Sequence, residues 1–226
     1  ILTEALAAVC KRLYVIEIDP EWYEETQRKL AHLKHITFIN QSVLDNDVFE
    51  SIPKPFQIVA NIPYHITSDI LNRLVFLKKD LYQASIMVQK DVALKWVSKA
   101  KEKLYMSQSL YAQYHFNLDI LFHVSRSCFY PVPKVDSSVI QLNPKLDLLN
   151  AELEKLVFNI IKAGFWGRRK PLKSCLNRSP YLQLSKNLLS NIHNQDFLYQ
   201  RMEQLCFEEI LKLAEDILSV QKSVSS

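Results

Sequence analysis

Short apolar runs alternate with helical stretches through the first two thirds of this 226-residue chain. The apolar runs are rich in β-branched residues and lie at 13–18, 36–39, 56–60 and 84–88, and their lengths are typical of buried strands in a parallel sheet. Between the last two runs, Thr67 to Leu77 carries apolar residues at helical spacing. Strands separated by helices indicate βαβ units, so we expect an α/β fold with a largely parallel sheet.

The pattern changes in the last third of the chain. Two further apolar runs, 118–124 and 138–142, are joined by a proline-bearing loop and predict an antiparallel hairpin at the sheet edge. After Asn150, apolar residues recur only at helical spacing. We therefore predict a sheet-containing domain over 1–148 and a small all-helical domain over 149–226.

Glycine is scarce, with Gly164 and Gly167 the only two in the chain. Loops of the GxGxxG or Walker type need glycine where the backbone turns tightly beside phosphate, so this sequence contains neither motif. The chain also opens on an amphipathic helical stretch over 1–9, with no strand before it. We therefore expect that the first strand of the sheet, with a cofactor-binding loop after it, lies outside this sequence.

Charge and cysteine content narrow the classes of function. The four cysteines are widely spaced without a CxxC pair, which favours a reducing, cytoplasmic compartment. No apolar run is long enough to span a membrane. Residues 151–190 hold eight lysines and arginines against two glutamates, although the whole chain has a net charge of only +4. Such a segment predicts a polyanionic partner, and a solvated helix face would have the same composition.

Histidine positions give no metal site. His32 and His35 lie close together in the sequence, but no further histidine or cysteine accompanies them. A structural or catalytic metal needs three or four ligands. We therefore predict that the protein binds no metal and assign no chemistry to its histidines.

The tetrapeptide Asn61-Ile62-Pro63-Tyr64 directly follows a predicted strand. Ligands of open α/β sheets bind beyond the carboxyl ends of the strands. The Asn61 side chain and the Ile62 backbone offer carbonyl acceptors for an exocyclic amine, because Pro63 holds Ile62 out of helical conformation. Tyr64 adds a flat face on which a base can stack. A simple turn at the end of a strand uses the same residue types.

Glu17 lies at the end of the predicted strand over 13–18. An acid at this position of a dinucleotide-binding sheet accepts hydrogen bonds from ribose hydroxyls. Glu17, or more readily Asp19, could instead cap the helix that opens at Pro20.

Three segments together resemble, in order and spacing, the motifs of the ribosomal RNA adenine N6-dimethyltransferases. The three segments are Val15-Ile16-Glu17-Ile18-Asp19, Asn61-Ile62-Pro63-Tyr64-His65-Ile66-Thr67 and Phe129-Tyr130-Pro131-Val132-Pro133-Lys134-Val135-Asp136-Ser137-Ser138. Within that family, Phe165-Trp166-Gly167-Arg168-Arg169-Lys170 is similar to the F-x-x-R-R-K segment of the KsgA-type small-subunit enzymes. The resemblance implies a Rossmann-like class I methyltransferase sheet with a helical C-terminal domain, and S-adenosylmethionine as the cofactor.

Site residues follow from the resemblance. Glu17 would bind the cofactor ribose and Ile18 its adenine, while Asn61 borders the cofactor. Asn61 and the Ile62 carbonyl, shaped by Pro63, would hold the target N6 amine. Tyr64 and Phe129 would sandwich the flipped adenine.

One position departs from the family pattern. In the family, an acidic residue follows the strand that corresponds to 36–39 and accepts a hydrogen bond from the cofactor's adenine amine. In this chain the matching residue is Ser42. An uncharged hydroxyl makes a weaker hydrogen bond than a carboxylate. We therefore expect weaker cofactor binding at this point, with Asp45 as a displaced substitute.

The implied reaction is methylation of N6 on two adjacent adenines in the 3′-terminal hairpin of small-subunit rRNA. The partner would be the immature small ribosomal subunit. The protein would act as a monomer in the cytoplasm and would not bind a membrane. Five basic residues would contact RNA: Lys134, Arg168, Arg169, Lys170 and Lys173.

Two alternatives stay open at this stage. Ser42 and the absent glycine loop leave room for a non-catalytic ribosome-assembly or mitochondrial transcription factor of the same fold. A macrolide-resistance enzyme that methylates large-subunit rRNA is the second alternative, which the segment Arg168-Arg169-Lys170 disfavours.

Overall fold

The computed structural model describes residues 1–146 and 149–225. Six strands are present in this part of the chain: β1 (Leu13–Ile16), β2 (Ile36–Ile39), β3 (Phe56–Asn61), β4 (Leu81–Gln89), β5 (Phe116–Val124) and β6 (Ser137–Pro144). The first helices are α1 (Leu2–Ala7), α2 (Pro20–Leu30), α3 (Thr67–Leu77), α4 (Lys90–Val97) and α5 (Ser107–His115). The later helices are α6 (Ala151–Trp166), α7 (Leu172–Arg178), α8 (Lys186–Ser190), α9 (Gln195–Tyr199) and α10 (Phe207–Ser225).

The strands form two hydrogen-bonded groups. β1 and β2 make a parallel pair, and the other four strands have the order β3-β4-β6-β5. β3 and β4 are parallel, whereas β6 is antiparallel to both β4 and β5. The six predicted strands and the late antiparallel hairpin are therefore confirmed, with β5 at the sheet edge.

The sheet is divided between β1 and β3. These two strands share no hydrogen bonds among the described residues, yet Tyr14 and Ile16 pack against the same apolar cluster as Phe56 and Ile58. The two strand groups are therefore held together by side-chain packing against this shared cluster. The expectation of a further strand encoded outside this sequence stays a prediction.

A short irregular segment separates α4 from α5. Ser98 Oγ and the Lys99 N–H both donate to the Glu102 carboxylate, each at 2.9 Å. These bonds lower the pKa of Glu102, and Lys101 has a left-handed backbone with φ of 74°. A side chain that satisfies local backbone donors competes with helix continuation, which explains the break.

The helices after residue 150 enclose a core of their own. Val157, Ile160 and Ile161 of α6 are buried there, and Tyr105 and Leu110 from the preceding segment join them. The two-domain division stays a prediction, because Tyr105 and Leu110 of the first predicted domain also lie in this core. The predicted boundary, between residues 148 and 149, adjoins residues 147–148, which lie outside the described residues.

Both glycines serve helix packing in that core. A Cβ at Gly164 would lie 2.6 Å from the Met202 side chain, and a Cβ at Gly167 would lie 2.5 Å from Cys175 Sγ. Real Cβ atoms do not approach other atoms this closely. Glycine is therefore needed at both positions because neighbouring side chains occupy the space of a side chain.

None of the helices described here has the length and apolar character to cross a bilayer.

Candidate functional site

The carboxyl ends of β1 and β2 lie side by side and fix the residues that follow them. Ile16 pairs with Ile39 in the parallel register, and the Glu17 N–H donates to the Ile39 carbonyl at 3.0 Å. The Asn40 side-chain amide donates to the Glu17 carbonyl at 2.8 Å. This amide therefore ties the two strand ends together, a role that sequence reasoning missed.

Glu17 and Ile18 present groups that suit an adenosine. One Glu17 carboxylate oxygen accepts from the Asp19 N–H at 2.9 Å, while Oε2 has no partner among the described residues. Ile18 is 67% exposed although it is apolar, so its side chain is available to pack against a planar ring. Asp19 accepts from the first N–H groups of α2, which shows that Asp19, not Glu17, is the helix cap.

Ser42 and Asp45 form a tight turn after β2. The Ser42 N–H donates to Asp45 Oδ2 at 3.2 Å, and Ser42 Oγ accepts from the Leu44 N–H at 3.1 Å. The Asp45 N–H donates back to the Ser42 carbonyl at 3.0 Å. The Ser42 hydroxyl keeps its proton to donate, and one Asp45 oxygen is occupied within the turn. The contact of either residue with a cofactor stays a prediction.

The Asn61-Ile62-Pro63-Tyr64 segment begins at the last residue of β3. Asn61 is exposed, and its side-chain amide has no partner among the described residues. Ile62 is buried, with its N–H donating to the Met87 carbonyl at 3.3 Å. The Tyr64 hydroxyl shares a hydrogen bond of 2.8 Å with Ser137 Oγ. The segment is thus anchored at both ends while the Asn61 amide remains free.

The loop that carries Phe129 lies at the same edge of the sheet. β4 ends where β6 begins, because Gln89 pairs with Ser137. Arg126 braces the loop by donating from its N–H to Asp136 Oδ1 at 3.1 Å and from Nη1 to the Lys134 carbonyl at 3.2 Å. The Tyr64 bond to Ser137 therefore joins the predicted base-binding segment to the end of the Phe129 loop.

The predicted RNA-binding residues have different environments. Arg168 Nε forms an ion pair of 2.7 Å with Glu203, and its Nη2 donates to the Lys103 carbonyl at 3.0 Å. Arg169 is exposed. Lys134 is likewise exposed, within the Phe129 loop.

Two lysines of the basic segment lie over aromatic rings. Lys170 Nζ is 5.5 Å from the centre of the Trp166 ring, and Lys173 Nζ is 5.3 Å from that of Tyr199. Trp166 is 49% exposed and Tyr199 is 64% exposed. Exposed aromatic faces beside cations suit both stacking on bases and pairing with phosphates.

The described residues contain no group of three or more His, Cys, Asp or Glu side chains that could hold a metal ion. His115 is buried, and burial together with Lys78 lowers its pKa to about 4. Its ring is therefore neutral at pH 7 and packs among aromatic side chains.

Known proteins match nearly the whole length of this chain. The family model described as ribosomal RNA adenine dimethylase matches residues 1–215. The "Ribosomal RNA small subunit methyltransferase A" of Clostridium botulinum is 33% identical over 225 residues, which are 97% of this chain and 80% of the relative. The protein of the same name from Alkaliphilus metalliredigens is also 33% identical, over 97% of this chain and 79% of the relative.

Two solved structures share the fold. A dimethyladenosine transferase from Plasmodium falciparum superposes with a TM-score of 0.83 at 22% identity, covering 97% of this chain and 86% of that chain. The 23S rRNA methyltransferase ErmE gives a TM-score of 0.67 at 24% identity, covering 96% of this chain and 86% of that chain. These likenesses confirm the predicted class I methyltransferase fold. With a family model that spans nearly the whole chain and relatives a third identical over the same length, the chain belongs to the ribosomal RNA adenine dimethylase family.

Proposed function

We propose that this protein methylates N6 of two adjacent adenines in the 3′-terminal hairpin of small-subunit rRNA, with S-adenosylmethionine as donor. The observation that carries the proposal is the Asn61 amide at the carboxyl end of β3, which is exposed and has no hydrogen-bond partner among the described residues. It lies in a segment whose next aromatic ring is held in place by Ser137. That arrangement suits recognition of an exocyclic amine on a stacked base.

The residues after β1 and β2 fit the adenosine half of the cofactor. Glu17 has a free carboxylate oxygen for ribose hydroxyls, and Ile18 has an exposed apolar side chain for the adenine face. The Ser42 hydroxyl can still donate a hydrogen bond to a ring nitrogen. When bound, S-adenosylmethionine would supply a methyl group on a sulfonium, with the neutral thioether as leaving group, and the methylated amine would release one proton to solvent.

The protein's contribution is to hold the target amine. The Asn61 side-chain oxygen and the Ile62 carbonyl would each accept one N6 hydrogen, which leaves the nitrogen lone pair free to face the methyl group. Tyr64 and Phe129 would hold the base between their rings. Positioning of this kind converts a bimolecular encounter into an effectively unimolecular one, so no strong base is required.

The names of the relatives support the choice of the small subunit. They are called small-subunit methyltransferases. Four basic residues would contact RNA phosphates: the exposed Lys134, Arg169 and Lys170, and the half-buried Lys173. Arg168 would contribute by fixing this basic segment through Glu203. We infer that the protein acts as a cytoplasmic monomer on immature small subunits.

The test uses the full-length protein, labelled S-adenosylmethionine and small subunits that lack the modification. We expect label on two adjacent adenines of the 3′-terminal hairpin. Asn61→Ala should abolish transfer and leave RNA affinity unchanged, whereas Asn117→Ala, an exposed amide on β5, should leave both unchanged. RNA binding without transfer by the unaltered protein would overturn the enzymatic assignment. In a parallel reaction with unmodified large-subunit rRNA, transfer to that RNA and none to small subunits would show that the substrate is the large subunit.

A further inference from the structure

A charged side chain lies within the apolar face of α3. Arg73 is 7% exposed, and it is flanked on the same face by buried Ile70, Leu74 and Leu77. Burial lowers the pKa of its guanidinium, and the charges of Asp45 and Asp47 act in the opposite direction. A buried cation of this kind needs partners that offset its lost hydration.

Within the described part of the chain, the hydrogen bonds of the Arg73 guanidinium go to one dipeptide. Nη2 donates to the carbonyl of Asp45 and, at 3.1 Å, to that of Asn46, while Nη1 donates to Asn46 Oδ1 at 3.2 Å. The guanidinium carbon also lies 5.2 Å from the ring centres of Phe49 and Phe76. Arg73 therefore clamps the turn after β2 onto α3.

Stability of the helix alone does not account for an arginine here. Its Nε is buried and has no partner among the described residues, and an unmade hydrogen bond is unfavourable. A leucine or methionine at position 73 would continue the apolar stripe without a buried charge. What a hydrocarbon cannot supply is the set of donors that fixes the Asp45 and Asn46 backbone.

The clamped turn belongs to the proposed cofactor site. It contains Ser42, whose N–H is bonded to the Asp45 carboxylate, and it follows directly on Asn40, which holds Glu17. The helix that carries Arg73 begins just after Tyr64. One helix thus reaches the base-binding segment at its start and the turn after β2 two turns later.

We propose that Arg73 is a positioning residue that holds the Ser42–Asn46 turn in the shape that receives the cofactor's adenine. This inference rests on the proposed function, because it takes that turn as part of the cofactor site. Arg73 acts through the Asp45 and Asn46 backbone and does not itself contact the cofactor. An uncharged Ser42 makes the precise shape of the turn more important, since no carboxylate there attracts the adenine amine.

The test is equilibrium binding of S-adenosylhomocysteine to the full-length protein by titration calorimetry. Arg73→Met keeps the packing between the two phenylalanine rings but removes the donors, so affinity should fall about tenfold. The KM for S-adenosylmethionine should rise by a similar factor while kcat and RNA affinity stay nearly unchanged. Arg73→Lys restores the charge and one donor, and its affinity should lie between the two.

Two variants serve as controls. Asn72→Ala changes an exposed neighbour on the same helix and should leave S-adenosylhomocysteine binding unchanged. Ile70→Val removes one methyl from the core and should lower Tm without weakening that binding. Arg73→Met that lowers Tm but binds S-adenosylhomocysteine like the unaltered protein would show a purely structural role and overturn the inference alone. An unaltered protein that binds no S-adenosylhomocysteine would overturn both this inference and the proposed cofactor.

Discussion

At the scale of single residues, hydrogen bonds between distant parts of the chain set the geometry of the base site. The Tyr64 hydroxyl and Ser137 Oγ are 2.8 Å apart, although 73 positions separate them in the sequence. The bond holds the Tyr64 ring and connects it to the loop that carries Phe129. Tyr64 and Ser137 therefore act together to fix the orientation of the Tyr64 ring.

We expect Tyr64→Phe and Ser137→Ala to lower the single-turnover rate of methylation by a similar factor, about tenfold, since precise orientation governs positioning catalysis. The double variant should be no slower than either single variant, because both remove the same bond. Tyr64→Ala should be slower still, because it also loses the stacking face. Additive effects in the double variant would show that the two groups act separately.

Gly164 shows that a helix glycine can be a packing requirement. Replacing a glycine inside an exposed helix by alanine normally stabilises the helix by about 1 kcal/mol. At Gly164 the added methyl would meet Met202, which is fully buried. Gly164→Ala should therefore lower the free energy of unfolding by about 1–3 kcal/mol, the usual effect of overpacking.

Chemical denaturation of the Gly164→Ala variant measures this change. The double variant Gly164→Ala with Met202→Ala makes room for the methyl, so the two substitutions should cost less together than the sum of their separate effects. A Gly164→Ala protein more stable than the original would mean that the Met202 contact relaxes without strain.

Sequence reasoning predicted the residues whose chemistry is visible in their type and their place at a strand end. Asn61, Tyr64 and Glu17 lie at the carboxyl ends of strands, as expected. Asn40, Arg73 and Ser137 were missed because their roles depend on contacts across the fold. Arg73 alone left a signal, since it interrupts an apolar helical stripe and an arginine is rarely buried without a partner.

At the scale of helices and strands, a buried histidine joins the sheet domain to the first helix of the helical domain. His115 ends α5, its ring lies parallel to that of Phe158 on α6 with ring centres 6.1 Å apart, and Lys78 Nζ is 3.2 Å from its Nδ1. Desolvation, followed by the Lys78 charge, lowers the pKa of His115 from 6.5 to about 4. His115 therefore has to be neutral in order to pack in this position.

This lowered pKa predicts a loss of stability in weak acid. The unfolded chain takes up a proton near pH 6.5 that the folded chain takes up only near pH 4. Stability from this residue is present above pH 6.5 and declines as the pH falls toward 4, by roughly 3 kcal/mol in total. Urea denaturation at several pH values between 7 and 4 should show the decline.

His115→Gln is the control, because glutamine does not titrate but can still accept from Lys78. Its stability should depend less steeply on pH over the same interval. If the stability of His115→Gln depended on pH as steeply as that of the unaltered protein, groups other than His115 would be taking up the proton.

Strand and helix types could be predicted from periodicity, whereas the interruptions could not. Burial imposes repeats of two or 3.6 residues, and these repeats are visible in the sequence. The break between α4 and α5 depends on Glu102 accepting from Ser98 and Lys99, which periodicity does not register. The gap between β1 and β3 likewise has no counterpart in the pattern of either strand.

At the scale of the whole molecule, the charge is concentrated where the helical domain begins. The basic segment predicted a polyanionic partner, and its residues divide into two groups in the fold. Arg169, Lys170 and Lys173 face solvent or lie over aromatic rings. Arg168 instead joins the loop between α4 and α5 to Glu203, so it stabilises the arrangement that presents the other three.

This division predicts different effects of removing charge on RNA binding. The triple variant Arg169→Gln, Lys170→Gln and Lys173→Gln should weaken binding to unmodified small subunits. In a plot of log affinity against log salt concentration, the slope should become shallower by about 2, because binding with fewer phosphate contacts releases fewer counterions. Its Tm should stay close to that of the unaltered protein, since none of the three forms an ion pair among the described residues.

Arg168→Gln and a charge-matched variant complete the comparison. Arg168→Gln leaves Glu203 without its 2.7 Å partner, so it should lower Tm and change the salt slope by less than the triple variant does. Removing the exposed charges of Lys11, Arg12 and Lys34 takes the same total charge from the sheet domain. If RNA is bound through local phosphate contacts, that variant should keep nearly the original slope. Equal slopes in the two triple variants would instead mean that only net charge matters and that the basic segment is not the RNA-binding surface.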